Sequence, residues 1–234
     1  MLATVLNSIR GVHTLGEMHQ FPEHLLEDRA CSCGQPMGTC PFWKRVKAHL
    51  HMVQEDVLAL STVSEQAERH KNIPMLLLGR GPTRAYSEFQ EHIFSACETA
   101  SGSAYLLDSS KYIARYIMLS KSRGLRVEGI YMVRDVRGVI ESFGKNVQTP
   151  KKPGPTLLYY ALINAFGELV YRLSDKVIKV RYEDFIRDPQ TVVSKILNHI
   201  DSHGFEDPML PGEFEMPHIV GGNRMKTMKS VSIN

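Results

Sequence analysis

The chain has 234 residues, of which 43% are apolar and 23% charged, and its formal net charge is +3. This composition is that of an ordinary globular protein, so it excludes a disordered or fibrous chain, and the weak positive charge gives no argument for nucleic acid as a partner. We predict a single α/β domain over residues 1–234, because no linker rich in proline, glycine or serine divides the chain.

Neither a membrane span nor a signal peptide is predicted. The longest purely apolar runs, such as residues 75–78, are far shorter than the ~18–20 residues that a spanning helix needs. The N-terminal stretch lacks a basic leader followed by a cleavage site. Four cysteines are too few for a disulfide scaffold and fit a reducing compartment. We therefore expect a cytoplasmic protein, whose oligomeric state stays open.

Four short apolar stretches predict buried strands. The first lies at roughly 11–15, and the other three begin near Ala104, Gly129 and Val177. Each is apolar enough to be covered on both faces. Helical patterns separate them, and alternation of this kind indicates right-handed crossovers. The predicted fold class is therefore α/β, with a mainly parallel sheet flanked by helices.

The helices are predicted from apolar stripes and from residues that favour helix ends. One stripe, at three- and four-residue steps, makes Cys97 a core residue; its members are Tyr86, Phe89, Ile93, Phe94 and Cys97. A second helix is expected within 111–124, ending at Gly124. A third covers 156–173, and a fourth opens with Asp188 as its cap and Pro189 at its first position.

A Cys-rich loop, CSCGQPMGTCPFW, is inserted at 31–43. Cys31, Cys33 and Cys40 are close enough in sequence to bind zinc, but a structural zinc site needs four ligands, and the fourth is not evident; His24 is the candidate. A local fold or a redox-labile pair is the alternative, so no metal ligand is assigned. The aromatic residues that end the loop are expected to anchor it on the core rather than to recognise a sugar.

Polar residues follow three of the predicted strands. In parallel sheets, ligands bind beyond the carboxyl ends of the strands. Glu17 follows the first strand, Asp108 and Lys111 end or follow the second, and Arg134 follows the third. We therefore predict that a ligand site is built from these clusters.

The stretch around Arg134, IYMVRDVRGVIESFGKN, allows two interpretations. In the structural one, Asp135 caps the following helix and Arg134 pairs with a carboxylate. In the other, Arg134 belongs to an anion site, because a guanidinium group offers a fork of donors that matches phosphate oxygens, and the hydroxyl of Ser142 adds a further hydrogen bond.

An arginine at a strand end with a serine eight positions later resembles the 3′-phosphate-binding segment of sulfotransferases that use 3′-phosphoadenosine 5′-phosphosulfate (PAPS). Three further stretches are similar to segments of that family and occur in the family's order: YLLDSSKYIARYIML, VIKVRYEDFIRDPQTVVSKIL and HIVGGNRMK. The resemblance covers most of the chain and implies a fold related to P-loop nucleotide-binding domains.

The resemblance implies roles for several residues in nucleotide binding. Arg134 and Ser142 would bind the 3′-phosphate of PAPS or of its product 3′,5′-ADP, and Gly222, Arg224 and Lys226 would lie in a glycine-bearing loop near the nucleotide. The implied partners are this small nucleotide cofactor and a hydroxyl-bearing acceptor, which could be a carbohydrate, a lipid, a peptide or a small molecule. No nucleic acid is expected.

The resemblance also implies catalytic candidates. Related enzymes place a catalytic glutamate near the strand that follows the phosphate-loop helix, which makes Glu17 the candidate base; His19, which titrates nearer neutrality, is the alternative. Lys111 is the candidate for neutralising phosphate charge. Its structural alternative is an exposed lysine in the first turn of a helix capped by Ser109 or Ser110.

The sequence departs from the family in one respect. Family members begin with a strand and a loop of the type G-x-x-R-S-G-[ST]-[ST], whose N–H groups cradle the 5′-phosphosulfate at a helix N-terminus. This sequence contains no such loop, and residues 1–17 resemble the helix and the strand beyond it. We expect a sulfotransferase fold with the first strand missing, from a mis-set start or a shortened form, and transfer of a sulfuryl group impaired by the missing loop. The alternative is a non-catalytic nucleotide-binding module that keeps only the 3′-phosphate half-site.

Overall fold

The computed structural model describes residues 1–50, 52–144, 153–201, 205, 209–222 and 228–233. They form two compact units, which we call unit 1 (Met1–Arg126 and Pro211–Ser232) and unit 2 (Val127–Leu210 and Ile233–Asn234). The prediction of one domain over 1–234 is not decided by this division and stays a prediction. Among the described helices, none combines the length and the apolar character that crossing a bilayer requires.

The elements alternate along the chain much as predicted. The first part of unit 1 contains α1 (Leu2–Leu6), β1 (Val12–Gly16), α2 (Phe21–Leu26), α3 (Pro41–Leu50), α4 (Gln54–Ala67), α5 (Ile73–Leu77), α6 (Arg84–Ser101), β2 (Tyr105–Asp108) and α7 (Ile113–Ser120). Unit 2 contains β3 (Gly129–Val133), α8 (Val136–Gly144), α9 (Pro153–Leu173), β4 (Val177–Arg181), α10 (Tyr182–Arg187) and α11 (Pro189–Ile200). The chain then returns to unit 1 with β5 (Glu213–Glu215) and β6 (Ser230–Ser232).

The four predicted strands are confirmed, and they pair in parallel. In unit 1, β1 pairs with β2, and Val12 lies opposite Tyr105. In unit 2, β3 pairs with β4, and Gly129 lies opposite Val177. The strands are less deeply buried than predicted, because all of β2 and most of β3 are only half-buried. The described residues thus form a mixed α/β structure with short parallel strand pairs.

The antiparallel pair β5–β6 was not anticipated. Each strand has three residues, and Glu213, Phe214 and Glu215 pair with Ser232, Val231 and Ser230. Only Phe214 and Val231 are buried. Both strands alternate polar and apolar residues, but three residues are too few for this alternation to predict a strand.

The core of unit 1 confirms two sequence predictions. Phe42 and Trp43 are 2% and 1% exposed, so they anchor on the core as expected, but they belong to α3 and not to the loop predicted over 31–43. Cys97 lies in the same core on α6. That helix begins after Thr83, whose hydroxyl accepts from the N–H of Tyr86, and ends before Gly102 in the left-handed conformation.

The remaining helix predictions are confirmed, and two of their ends are corrected. Helix α9 begins at Pro153 rather than at residue 156, and it ends at Leu173 as predicted. Helix α7 begins at Ile113 and ends at Ser120, before the predicted stop at Gly124. Helix α11 has Asp188 as its cap, with the carboxylate accepting from the N–H of Thr191 at 3.1 Å, and Pro189 at its first position.

Candidate functional site

Arg134, in unit 2, directly follows β3 and is half-buried. Its guanidinium carbon lies 4.6 Å from the centre of the Tyr182 ring, a distance at which a cation is attracted to the ring face. Its carbonyl oxygen accepts a hydrogen bond of 2.8 Å from the Tyr160 hydroxyl. Residues of α9 and α10 thus hold the backbone and the side chain of Arg134.

The guanidinium group of Arg134 lies against the first turns of α8. A Cβ atom added at Gly138 would come within 2.9 Å of its Nε atom, so glycine leaves the space that this side chain occupies. Ser142 is four residues further along α8, on the same helix face as Gly138. The side chain of Ser142 lies outside the described residues.

The neighbour of Arg134, Asp135, has the structural role that one interpretation predicted. Its carboxylate accepts from the N–H of Arg137 at 2.8 Å and forms an ion pair with the Arg137 guanidinium at 2.9 Å. The hydrogen bond from the Arg137 side chain lowers the pKa of Asp135 to about 2. The other half of that interpretation stays a prediction, since among the described residues no carboxylate lies within ion-pair distance of Arg134.

Glu17, in unit 1, lies one residue beyond β1 and is mostly buried. Its carboxylate accepts a hydrogen bond of 2.5 Å from the ammonium group of Lys111, which follows β2. It accepts a second one, of 2.9 Å, from the side-chain amide of Gln20. The residues that follow two paired strands therefore meet in an ion pair between the candidate base and the candidate counter-charge. No pattern in the sequence singles out Gln20.

Lys111 is not in a helix, so its structural alternative is wrong. Helix α7 begins at Ile113, and its flanking residue Tyr112 makes no side-chain cap. Ser110 bonds to Asp108 instead of capping. Lys111 itself has a φ angle of +64°. Residues other than glycine rarely adopt this backbone conformation, and those that do are enriched at functional sites.

His19 lies beside the Glu17–Lys111 pair. Its ring centre is 4.6 Å from that of Tyr112, and its Nε2 atom is 3.3 Å from the Gln20 amide nitrogen, which can donate to a neutral ring. Burial lowers the pKa of His19, and the nearby carboxylates of Glu17 and Asp108 oppose this only in part. The imidazole is therefore neutral near pH 7.

This lowered pKa predicts a loss of stability in acid. The folded-state pKa lies below the unfolded value, so the contribution of neutral His19 is complete above ~6.5 and is lost as pH falls through the folded pKa. Between about pH 7 and about pH 5, we expect the free energy of unfolding to fall less in His19→Phe, which keeps a ring against Tyr112, than in the wild type. Denaturant titrations at both pH values measure this. His92→Phe, which replaces an exposed histidine of α6, is the control. A fall in the free energy of unfolding of His19→Phe as large as that of the wild type would contradict the prediction.

A buried polar network that sequence analysis missed holds the loops around this pair. Asp108 accepts from the backbone N–H groups of Met18 and Ser110 through one oxygen and from Arg115 Nε at 2.7 Å through the other. Arg115 also bonds to Glu68. The sequence feature that could have revealed this network is the arginine at position 115, which interrupts the otherwise apolar run of 113–119.

The predicted loop of Gly222, Arg224 and Lys226 is described only up to Gly222. Val220 lies beside β1, where its carbonyl oxygen accepts from the N–H of Glu17 at 2.8 Å. Gly222 has a φ angle of +98°, as a tight turn requires. Arg224 and Lys226 lie outside the described residues. The described part of this segment therefore contacts the residue proposed as the base.

The Cys-rich loop brings its thiols together, and its fourth neighbour is not His24. Cys31, Cys33, Cys40 and His218 present ligand atoms that all lie within 4.8 Å of one another. Cys31 and Cys40 are buried and Cys33 is exposed. The sequence could not reveal His218, which is 178 residues beyond Cys40 and follows no zinc-ligand spacing.

Comparisons with protein-family models, with curated proteins and with solved structures found no match to this chain. A function therefore has to be inferred from its own residues.

Proposed function

We propose that this chain is a PAPS-dependent sulfotransferase with a P-loop-like α/β fold, acting in the cytoplasm, in which Arg134 and Ser142 bind the 3′-phosphate. The observation that carries the proposal is the position of the Arg134 guanidinium. It lies against Gly138, on the α8 face that also carries Ser142, and none of the described carboxylates pairs with it. A half-buried cation beside a helix N-terminus and a hydroxyl-bearing residue suits a phosphate group.

The proposed reaction is an in-line displacement at sulfur, for which PAPS supplies the sulfuryl group. The acceptor oxygen forms a bond to sulfur, the bond from sulfur to the phosphate oxygen breaks, and 3′,5′-ADP leaves. Glu17 would take the proton of the acceptor hydroxyl. Lys111, which is 69% exposed, would exchange part of its interaction with Glu17 for phosphate charge.

A second candidate is a non-catalytic nucleotide-binding module. It is favoured by the two partners that Glu17 already has, Lys111 and Gln20, because a carboxylate bonded in this way also serves to join two loops. Binding of 3′,5′-ADP is common to both candidates, and release of 3′,5′-ADP from PAPS in the presence of hydroxyl acceptors distinguishes them.

Replacing Arg134 by alanine is expected to weaken binding of 3′,5′-ADP at least ~10-fold, or about 1.4 kcal/mol, because the charge-assisted hydrogen bonds to the 3′-phosphate are lost. Isothermal titration of both proteins with 3′,5′-ADP and with 5′-AMP measures the effect. The loss should be confined to the nucleotide with the 3′-phosphate. Gly138→Ala should act in the same direction, because its Cβ atom would displace the guanidinium.

Arg137→Ala is the matched control. Arg137 is a neighbouring arginine of α8, is 89% exposed and pairs with Asp135, so its removal should leave the affinity within about twofold. Equal affinity of the wild type and Arg134→Ala for 3′,5′-ADP, or equal wild-type affinity for 3′,5′-ADP and 5′-AMP, would remove the 3′-phosphate assignment.

A further inference from the structure

Three cysteine sulfurs and one imidazole nitrogen converge in unit 1. The Nδ1 atom of His218 is 3.7 Å from the sulfur of Cys31 and 3.3 Å from that of Cys40, and Cys33 completes a group within 4.8 Å. For tetrahedral zinc with Zn–S near 2.3 Å and Zn–N near 2.0–2.1 Å, ligand atoms stand about 3.8 Å apart for two sulfurs and about 3.6 Å for sulfur and nitrogen. The observed distances from His218 to the two sulfurs lie on either side of this sulfur–nitrogen distance.

We propose that Cys31, Cys33, Cys40 and His218 bind one structural Zn²⁺ ion. Thiolate and imidazole ligands in a tetrahedral set suit zinc, whereas magnesium and calcium require oxygen ligands. Four protein ligands leave no open position for a substrate, so the site is structural rather than catalytic. On binding, the three thiols release their protons and the imidazole binds as the neutral ring.

The backbone of the Cys-rich loop is already folded around the cluster. The N–H of Cys31 donates to the carbonyl of Gln35 at 2.9 Å, and the N–H of Gly34 donates back to Cys31 at 2.9 Å. Gly34 has a φ angle of +82°, which closes the tight turn directly after Cys33. The N–H of Cys40 bonds to Pro36 at 2.8 Å. The cysteines are thus held in place by hydrogen bonds within the loop.

His218 is held at the cluster by Ser32, the residue between two of the cysteines. The Ser32 hydroxyl donates to the carbonyl of Pro217 at 2.6 Å and accepts from the N–H of Ile219 at 3.0 Å. The N–H of Ser32 also bonds to the carbonyl of Ile219 at 3.3 Å. Both neighbours of His218 in the chain are therefore fixed to the same residue of the loop, as outer partners fix the ligands of metal sites.

The ion would hold the segment of His218 beside β1. Two residues after His218, the N–H of Val220 donates to the carbonyl of Leu15 at 2.9 Å, and the carbonyl of Val220 accepts from Glu17. A zinc ion would thus link residues far apart in the chain and stabilise the segment that contacts Glu17. This role is independent of the proposed function.

The test is metal analysis and reconstitution of the full chain, purified under reducing conditions without a metal-affinity tag. We expect about one zinc per chain, and after chelation and Co²⁺ addition we expect the thiolate-to-cobalt bands and strong d–d absorption of a tetrahedral site. Cys33→Ser and His218→Ala should each bind Co²⁺ at least ~10-fold more weakly. Cys33 is exposed, so its substitution leaves the core packing intact. Zinc should also raise the unfolding temperature of the chelated protein.

Cys97→Ala is the control, because Cys97 is a buried cysteine of α6 outside the cluster, and it should bind the metal as the wild type does. A wild-type chain that neither retains zinc nor takes up Co²⁺ would overturn the proposal. So would a disulfide between two of the three loop cysteines in protein purified under reducing conditions, or unchanged Co²⁺ binding by both ligand variants.

Discussion

Replacing Arg115 by methionine is expected to lower the free energy of unfolding by about 3–5 kcal/mol, because removing one partner of a buried ion pair leaves uncompensated charge behind. The Arg115 side chain is 3% exposed. Its Nη1 atom lies 2.5 Å from Glu68, its Nε atom 2.7 Å from Asp108 and its Nη2 atom 3.1 Å from Gln90. Methionine fills much of the volume of the arginine side chain, so the loss in free energy of unfolding reports the removal of the charge rather than a cavity. Urea unfolding near neutral pH gives the difference.

Lowering the pH should reduce this deficit. Burial raises the pKa of Glu68 even with Arg115 beside it, so without the arginine this carboxyl takes up a proton more readily still. Protonation removes the unpaired negative charge, and the wild type and Arg115→Met should approach each other in stability as the pH falls.

Arg69→Met is the matched control for this prediction. Arg69 follows Glu68 directly and pairs with Glu65 at 3.1 Å, but its side chain is 50% exposed. Exposed pairs of this kind contribute about 0–1 kcal/mol, so the control should differ little from the wild type. If Arg115→Met cost no more than Arg69→Met, the buried network would not carry the stability assigned to it.

The network around Arg115 also has a consequence for the candidate site. The second carboxylate oxygen of Asp108 accepts from the N–H groups of Met18 and Ser110, which lie directly beyond Glu17 and directly before Lys111. Arg115 is therefore a positioning residue, since it fixes the carboxylate that holds both loops. Its loss should disturb the Glu17–Lys111 pair without touching either side chain.

Local sequence patterns were sufficient to predict the four parallel strands and the helices α6, α7, α9 and α11. The first residues of the strands that begin at Gly129 and Val177 were predicted correctly. A short apolar run between polar turns is compatible with few structures other than a buried strand. Helix α6 was predicted from its apolar stripe, whose members are buried or partly buried. These features depend on residues close together in the chain, and the information was therefore present in single windows of sequence.

The features that were missed depend on pairs far apart in the chain. His218 meets the Cys-rich loop across 178 residues from Cys40, and Glu68 meets Arg115 across 47 residues. Neither pair leaves a periodic signal, because tertiary packing alone brings its members together. The position of Arg134 against α8 was in part predictable, since strand, turn and helix are contiguous there, whereas the absence of a carboxylate partner among the described residues was not.

Replacing Gly16 by alanine is expected to cost about 3–5 kcal/mol of unfolding free energy, from backbone strain and overpacking together. Gly16 has a φ angle of +89° at an irregularity in the β1–β2 pairing, where Thr14 and Gly16 lie opposite consecutive residues of β2. An added Cβ atom would lie 2.2 Å from the carbonyl oxygen of Val220, which is a backbone atom and cannot turn away as a side chain does. Urea unfolding of the variant measures the loss.

Gly11→Ala separates the two causes. Gly11 precedes β1 with nearly the same φ angle, +86°, but a Cβ atom there would meet no atom within 4 Å. Its substitution should therefore show the backbone strain alone, about 1–2 kcal/mol. The excess loss in Gly16→Ala then measures how closely the segment of Val220 is held against β1, the contact through which Glu17 is fixed by its N–H group. Equal losses in the two variants would mean that the segment of Val220 moves to make room for the added methyl group. The inference that Val220 packs closely on the candidate site would then be wrong.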